Sequence, residues 1–185
     1  MREIEIKARV ESTAKIIARL EADGIQVSEP VRQRDEVFGL VGVSGDSDNS
    51  EPWLRIRTET KADLVRYIYT LKKSITNQLD SIEHETEVED PDELRKIILH
   101  SGFTPYSDVT KTRRKAKMGD VEICIDVVDE LGEFVEAEKL TTEDADYEQV
   151  VGELRGLLEG LGVTRDSEVT DGYDVMMERL QNKSA

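Results

Sequence analysis

The sequence predicts an α+β fold: a β-sheet closed into a barrel, helices packed on its outside, and a charged interior. Three observations lead there. Charged and apolar residues alternate at a period of two along much of the chain, as in strands with one polar and one apolar face. The helical segments between those strands carry apolar stripes that need a surface to cover. The charged strand faces hold both signs, carboxylates together with Lys and Arg, in six stretches: 3–7, 55–57, 66–72, 83–87, 111–113 and 122–138.

The elements follow in order. "REIEIKARV" sets Glu3, Glu5 and Lys7 on one strand face and Ile4, Ile6 and Ala8 on the other. "ESTAKIIARLEADG" is a helix with Ile16, Ile17 and Leu20 on one side, Ser12 or Thr13 to cap it and Gly24 to stop it. "VRQRDEVFGLV" reads as a strand, and "GVSGDSDNSEP" as a mobile polar loop. In "WLRIRTE", Leu54 and Ile56 oppose Arg55 and Arg57. In "ADLVRYIYTLKKS", Val65, Tyr67, Tyr69 and Leu71 oppose Arg66, Ile68, Thr70 and Lys72. "SIEHETEVED" gathers Glu83, Glu85 and Glu87. "DPDELRKIILHSG" is a helix with Asp90 at the N-cap, Pro91 in the first turn and Gly102 at the stop. "VTKTRRKAKMGDVEICIDVV" is a hairpin turning at Met118-Gly119-Asp120; Lys111 and Arg113 share a face, as do Glu122, Cys124 and Asp126. "ELGEFVEAEKL" adds Glu136 and Glu138. A long amphipathic helix over "TTEDADYEQVVGELRGLLEGLG" and a short one ending "SEVTDGYDVMMERLQ", packed through Met176 and Met177, complete the chain. A weak repeat runs through it. Strand, helix, glycine and basic strand occur twice, the basic strands containing Arg32 and Arg34, then Lys111 and Arg113.

At 185 residues the chain suits one domain, 1–185, with a substantial core. A formal charge of −16 argues against general binding to nucleic acid or an anionic membrane. So acidic a coat fits life at high salt or an ordinary acidic soluble protein. The single cysteine, Cys124, allows no internal disulfide. There is no apolar run of membrane-spanning length and no signal pattern, so a cytoplasmic location is expected. His84 and His100 lack paired ligand spacing, Trp53 reads as core, and Cys124 reads as packing.

Solvated charged faces explain any single strand. As a set they fit less well, because the apolar faces are needed beneath the helices. In a barrel the charged faces turn inward. An interior lined by both signs suits a polyanion bridged by divalent metal: Lys and Arg hold phosphate oxygens, and carboxylates hold Mg²⁺ or Mn²⁺. Without such a ligand, desolvating so many charges is costly.

"EIEIK" resembles the ExExK signature of the CYTH superfamily, the triphosphate tunnel metalloenzymes, a group of class IV adenylyl cyclases, thiamine triphosphatases and inorganic triphosphatases. "QRDEVF", "LRIR", "YTLK", "EHETEVED", "KTR" and "EICIDVVDELGEFVEAE" resemble its further strand motifs in the family's order, across residues 3 to 138. The L-G-x-F-x-E-x-E form of the last is typical of the class IV cyclase-like branch. "GYDVMM" loosely resembles the family's final helix. Departures lie at Phe38, at the basic run "RKAKM" and in that final helix, and they bear on what sits beyond the triphosphate.

The resemblance implies a closed antiparallel eight-stranded β-barrel, a tunnel with helices outside. It implies that Lys7, Arg55, Arg57, Lys72, Lys111 and Arg113 grip the triphosphate, and that Glu3, Glu5, Asp126, Glu136 and Glu138 hold one or two divalent metals. Lys72, Glu5 and Lys7 are expected nearest the chemistry. Glu83, Glu85, Glu87, Glu122, Arg66 and Arg34 are further lumen candidates, whereas Lys73 has the outward parity. The expected activity is metal-dependent hydrolysis of a small-molecule triphosphate: ATP, inorganic triphosphate or thiamine triphosphate. Class IV adenylyl cyclase chemistry, giving cyclic AMP and pyrophosphate, is the alternative. A non-catalytic triphosphate or pyrophosphate binder is a second alternative, and an acidic structural protein with solvated strands a third. No nucleic-acid or membrane partner is expected; a homodimer is open.

Overall fold

The computed structural model describes residues 1–40 and 51–184. Most of the polar loop expected over 42–52 lies outside the described residues. The chain runs β1 (Arg2–Arg9), α1 (Thr13–Ala22), β2 (Val31–Leu40), β3 (Trp53–Lys61), β4 (Leu64–Ser74), β5 (Asp80–Glu87), α2 (Pro91–His100), β6 (Phe103–Met118), β7 (Val121–Val128), β8 (Gly132–Thr141), α3 (Tyr147–Gly160), a short β9 (Glu168–Val169) and α4 (Tyr173–Ser184). The weak repeat corresponds to two successive strand–helix–three-strand runs, β1 to β4 and β5 to β8. The strand order is β5-β4-β3-β2-β6-β7-β8-β1, and β5 also pairs with β1, so eight strands close into a barrel; β9 adds to β1. No helix among the described residues is long and apolar enough to cross a membrane.

The chain divides into two compact units. The first comprises Met1–Val31 and Lys111–Thr170. Its antiparallel strands β1, β8, β7 and β6 are in register such that Ile6 faces Ala137 and Ala137 faces Ile123. Ile4, Ile6, Ile123, Ile125, Val135 and Ala137 form one apolar face. Ile16 and Leu20 of α1 and Val150, Val151, Leu154 and Leu158 of α3 cover it. These residues leave water together, which is the main stabilising term of the unit.

The cap of α1 differs from expectation. Ser12 takes the N-cap position but makes no side-chain cap bond. Instead Glu133 Oε2, from β8, accepts hydrogen bonds from Thr13 N and Thr13 Oγ1, both at 2.6 Å. A carboxylate at a helix N-terminus satisfies orphan donors and opposes the macrodipole. The helix is therefore tied to the sheet rather than to its own leading residue. The hairpin of β6 and β7 turns where expected, with Gly119 at φ 65°.

The second unit comprises Arg32–Thr110 and Asp171–Ala185. Its strands β2, β3, β4 and β5 form an antiparallel meander. Phe38, Leu54 and Ile56 pack with Ile98 of α2, flanked by Tyr69, Leu71, Leu94 and Phe103. α2 starts as expected, Asp90 accepting a hydrogen bond from Glu93 N at 2.9 Å. Val65, counted with the apolar face, remains 49% exposed. In α4, Val175 and Met177 are buried.

Trp53 is half-buried rather than core. Its ring lies over Gly39 and meets Tyr106 at a centroid distance of 4.7 Å. A Cβ on Gly39 would fall 2.5 Å from Trp53 Cζ3. Gly39→Ala should therefore lower the unfolding midpoint, at a cost of about 1–3 kcal/mol from overpacking against a rigid ring. Gly152→Ala, on α3 with nothing within 4 Å of the added methyl, should raise it by roughly 0.5–1 kcal/mol. Denaturant melts of the two variants check both signs.

Candidate functional site

The register of the first unit places its charges in rows. Lys7 of β1 stands opposite Glu136 of β8, which stands opposite Cys124 of β7 and, across it, Lys115 of β6. One row along, Glu5 faces Glu138 and Glu138 faces Glu122. One row the other way, Arg9 faces Phe134, then Asp126 and Arg113. Because the side-chain period of a strand is two, burying Ile4 and Ile6 under the helices commits Glu3, Glu5 and Lys7 to the opposite face.

That face is largely dry. Lys7 and Lys111 are each 3% exposed and Asp126 is fully buried. Arg113 Nε and Nη2 donate to the two Asp126 oxygens at 2.8 and 2.6 Å; Nη2 also contacts Glu136, and Nη1 lies 3.2 Å from Glu138. Lys7 Nζ sits 3.2 Å from both Glu5 and Glu136. Lys111 Nζ is 3.5 Å from Asp126. Three cations thus meet four carboxylates, Glu5, Asp126, Glu136 and Glu138. Carboxylate oxygens of Glu5, Glu136 and Glu138 all lie within 4.8 Å of one another, a spacing that fits a divalent cation among hard oxygen ligands.

The imbalance shows in the proton affinities. Burial pushes the Glu138 carboxyl up; Arg113 opposes this, but the negative charges of Glu3, Glu136 and Glu5 add to it, and it reaches about 8. Glu136 is buried too, yet Arg113, Lys7 and Lys111 outweigh that and hold it well below the carboxylate range. A proton on Glu138 relieves the crowding of negative charge around it; a bound divalent cation would relieve it further. Burial likewise raises the Cys124 thiol far above its ordinary value, so it stays a neutral S–H, 4.0 Å from Glu122. Glu122 in turn pairs with Lys115 at 2.5 Å.

A second charged cluster lies in the other unit. Arg57 donates through Nε and Nη2 to both oxygens of buried Asp35, at 2.7 and 2.8 Å. Arg55 pairs with Glu85 at 2.9 Å and approaches Glu83 at 3.8 Å; Lys72 Nζ reaches Glu83 at 2.9 Å. Burial of Glu83 is outweighed by Lys72 and Arg55, and its pKa falls to about 2. Gln33 Nε2 donates to Glu59 at 2.6 Å, and Glu59 pairs with Arg66.

The sequence-derived candidates distribute as follows. Glu5, Lys7, Lys111, Arg113, Asp126, Glu136 and Glu138 come together in the first unit, with Glu3 acting on Glu138 through its charge. Asp126 is engaged by Arg113 and Lys111 and lies outside the acidic triad. Arg55, Lys72, Glu83 and Glu85 gather in the second unit. Arg66 and Glu87 pair at that cluster's exposed margin. Arg34 does not join it. Its neighbours in the strand, Gln33 and Asp35, carry the charged face, so alternation sends Arg34 to the other side, where it is 53% exposed and bonded to Asp108. The residues overlooked were Gln33, Asp35, Glu59 and Lys115. Parity with Arg57 across the β2–β3 ladder would have found the first three, and parity with Arg113 the last.

Comparison with known proteins agrees with this architecture. A candidate adenylate cyclase of Methanocaldococcus jannaschii is 28% identical over 173 residues, 94% of this chain and 97% of that protein. A solved Pyrococcus horikoshii protein superposes with a TM-score of 0.81 at 24% identity, over 98% of this chain and 99% of its own. A Hippeastrum protein, a candidate adenylyl cyclase with a dominant triphosphatase activity, gives a TM-score of 0.58 at 17% identity, covering 92% and 90% of the two chains. Residues 1–173 match the model of the CYTH domain. With its charged strand faces and the acidic triad of Glu5, Glu136 and Glu138, the chain belongs to the CYTH domain family.

Proposed function

We propose that the protein is a divalent-metal-dependent enzyme that hydrolyses a small-molecule triphosphate. The observation that carries this reading is the buried ring of Lys7, Lys111 and Arg113 with Glu5, Asp126, Glu136 and Glu138. Buried ion pairs contribute little net stability and are often less stable than apolar packing of the same volume. So many in one place point to a ligand that exchanges partners with them. Phosphate oxygens would take Lys7, Lys111 and Arg113 from their carboxylates, and the freed Glu5, Glu136 and Glu138 would hold Mg²⁺ or Mn²⁺, with Glu3 adding negative charge. A divalent cation there supplies charge neutralisation at phosphate oxygens and an acidified water. Arg55, Arg57 and Lys72 are proposed as further triphosphate ligands. Asp35 presets the fork of Arg57, and Glu83 holds Lys72 in place. Phosphoryl transfer needs positioning and electrostatics above all, which such groups provide without a covalent step on the protein.

Cyclisation of ATP is the second reading, favoured by the name of the Methanocaldococcus jannaschii relative and by the "LGEFVEAE" motif. Hydrolysis is preferred because the same fold carries it in the Hippeastrum protein.

Incubation with Mg²⁺ or Mn²⁺ and ATP, inorganic triphosphate or thiamine triphosphate, at low and high salt, should release orthophosphate without cyclic AMP. Cyclic AMP with pyrophosphate would establish the cyclase instead, and tight binding without turnover a binder. Glu5→Gln, which keeps the shape and removes a ligand charge, should lower kcat/KM roughly a hundredfold, about 2.7 kcal/mol in the barrier, with the fold intact by circular dichroism.

Metal affinity should also depend on pH. Below about 8 Glu138 carries a proton that a metal must displace. Affinity for Mn²⁺ should therefore rise with pH, by up to about tenfold per unit, and level off above about 8. Glu138→Gln should bind more weakly at high pH and lose that slope; titrations from pH 6 to 9 read both.

A further inference from the structure

Lys7, Lys111 and Arg113 are each answered by carboxylates. Arg9 is not. It continues the charged face of β1 after Glu3, Glu5 and Lys7, and it is exposed where Lys7 is buried. Its guanidinium carbon lies 4.6 Å from the centroid of the Phe134 ring, and Phe134 is fully buried. Its Nη1 donates to the carbonyl of Leu131. At Gly132, where φ is 106°, an added Cβ would stand 3.1 Å from that same Nη1. Among the described residues Arg9 meets no carboxylate within ion-pair distance.

A guanidinium normally loses considerable side-chain entropy when it is ordered. Arg9 is already held, by a cation–π contact on one side and a backbone carbonyl on one nitrogen. Its remaining N–H edge and its whole charge are left for an external anion. Pre-organised, uncompensated cations of this kind are what planar recognition of a phosphate requires.

Position along the strand says which part of a ligand it would meet. Successive residues on one strand face are about 6.6 Å apart. Arg9 is one such step beyond Lys7 and two beyond Glu5, whose oxygens belong to the acidic triad. We propose that Arg9 is a specificity residue. It binds a terminal phosphoryl group at the end of the substrate away from the acidic triad, and so favours inorganic triphosphate over a nucleoside triphosphate whose corresponding end is esterified. This rests on the triphosphate reading above.

The test compares wild type, Arg9→Gln and Arg9→Lys in two assays. One is turnover of inorganic triphosphate and of ATP; the other is calorimetric binding of the same two ligands, which needs no turnover. Arg9→Gln should lose roughly tenfold in kcat/KM and in affinity for inorganic triphosphate, the effect shrinking at high salt. Its kcat/KM for ATP should stay within about twofold. Arg9→Lys, which keeps the charge without the planar fork, should fall between wild type and Arg9→Gln. Equal losses on both substrates, or no loss on either, would overturn the assignment. So would an unfolding midpoint lowered enough to account for the loss. If wild type turns over neither substrate, hydrolysis fails as the function, and the binding comparison alone decides the role of Arg9.

Discussion

The protein depends on one constraint: a strand cannot bury one face without committing the other. Ile4 and Ile6 must reach α3 and the rest of the apolar face, so Glu5 and Lys7 must stand on the opposite one. The same holds along β7 and β8, where Ile123, Ile125, Val135 and Ala137 are the reverse of Cys124, Asp126, Glu136 and Glu138. Charges that cannot reach water have to answer one another. The ladder register decides which answer which. Glu136 lies beside Lys7 because those two residues are direct partners across the β1–β8 pairing. Site and core are two sides of the same hydrogen-bond pattern.

The two charged clusters solve that problem differently. In the second unit Arg57 takes both oxygens of Asp35, Lys72 and Arg55 share Glu83, and Arg55 also meets Glu85. The charges of Lys72 and Arg55 outweigh burial and hold the Glu83 carboxyl down, to about 2. In the first unit Arg113 is shared among Asp126, Glu136 and Glu138, and the acids outnumber the bases. Glu136 and Glu138, two residues apart on one strand, are driven in opposite directions. A carboxylate whose surroundings raise its proton affinity, as those of Glu138 do, has affinity for a further positive partner built into it; Glu83, held down by two cations, does not. The acidic triad accordingly lies in the first unit.

Much of this was legible in the sequence, because it followed from parity. The period-two pattern located β1, β3, β4, β5, β7 and β8 and assigned their faces, and Gly102 and Asp90 marked the bounds of α2. Two kinds of information were not legible. The first is pairing across strands. Arg34 looked as basic as Arg57, but only the β2–β3 register reveals that Asp35, and not Arg34, stands opposite Arg57. The second is capping from a distance. Ser12 and Thr13 suggested a self-contained helix start, whereas the acceptor is Glu133, 120 residues away in the chain. Motif order identified the family-like charged residues, but it could not say that Asp126 is committed to Arg113 and Lys111 rather than to the acidic triad.

The double duty of β1 bears on how such a chain can change over generations. The strand packs Ile4, Ile6 and Ala8 into the apolar core with one face and supplies Glu5 and Lys7 to the charged ring with the other, while pairing with β8, β9 and β5. A point substitution alters one face and leaves the other in place. Losing or gaining a single residue would exchange the two faces, placing Glu5 and Lys7 beneath the helices and Ile4 and Ile6 among the carboxylates. Substitution can therefore vary this strand's letters far more freely than its length, and insertions and deletions should accumulate in the connections between elements.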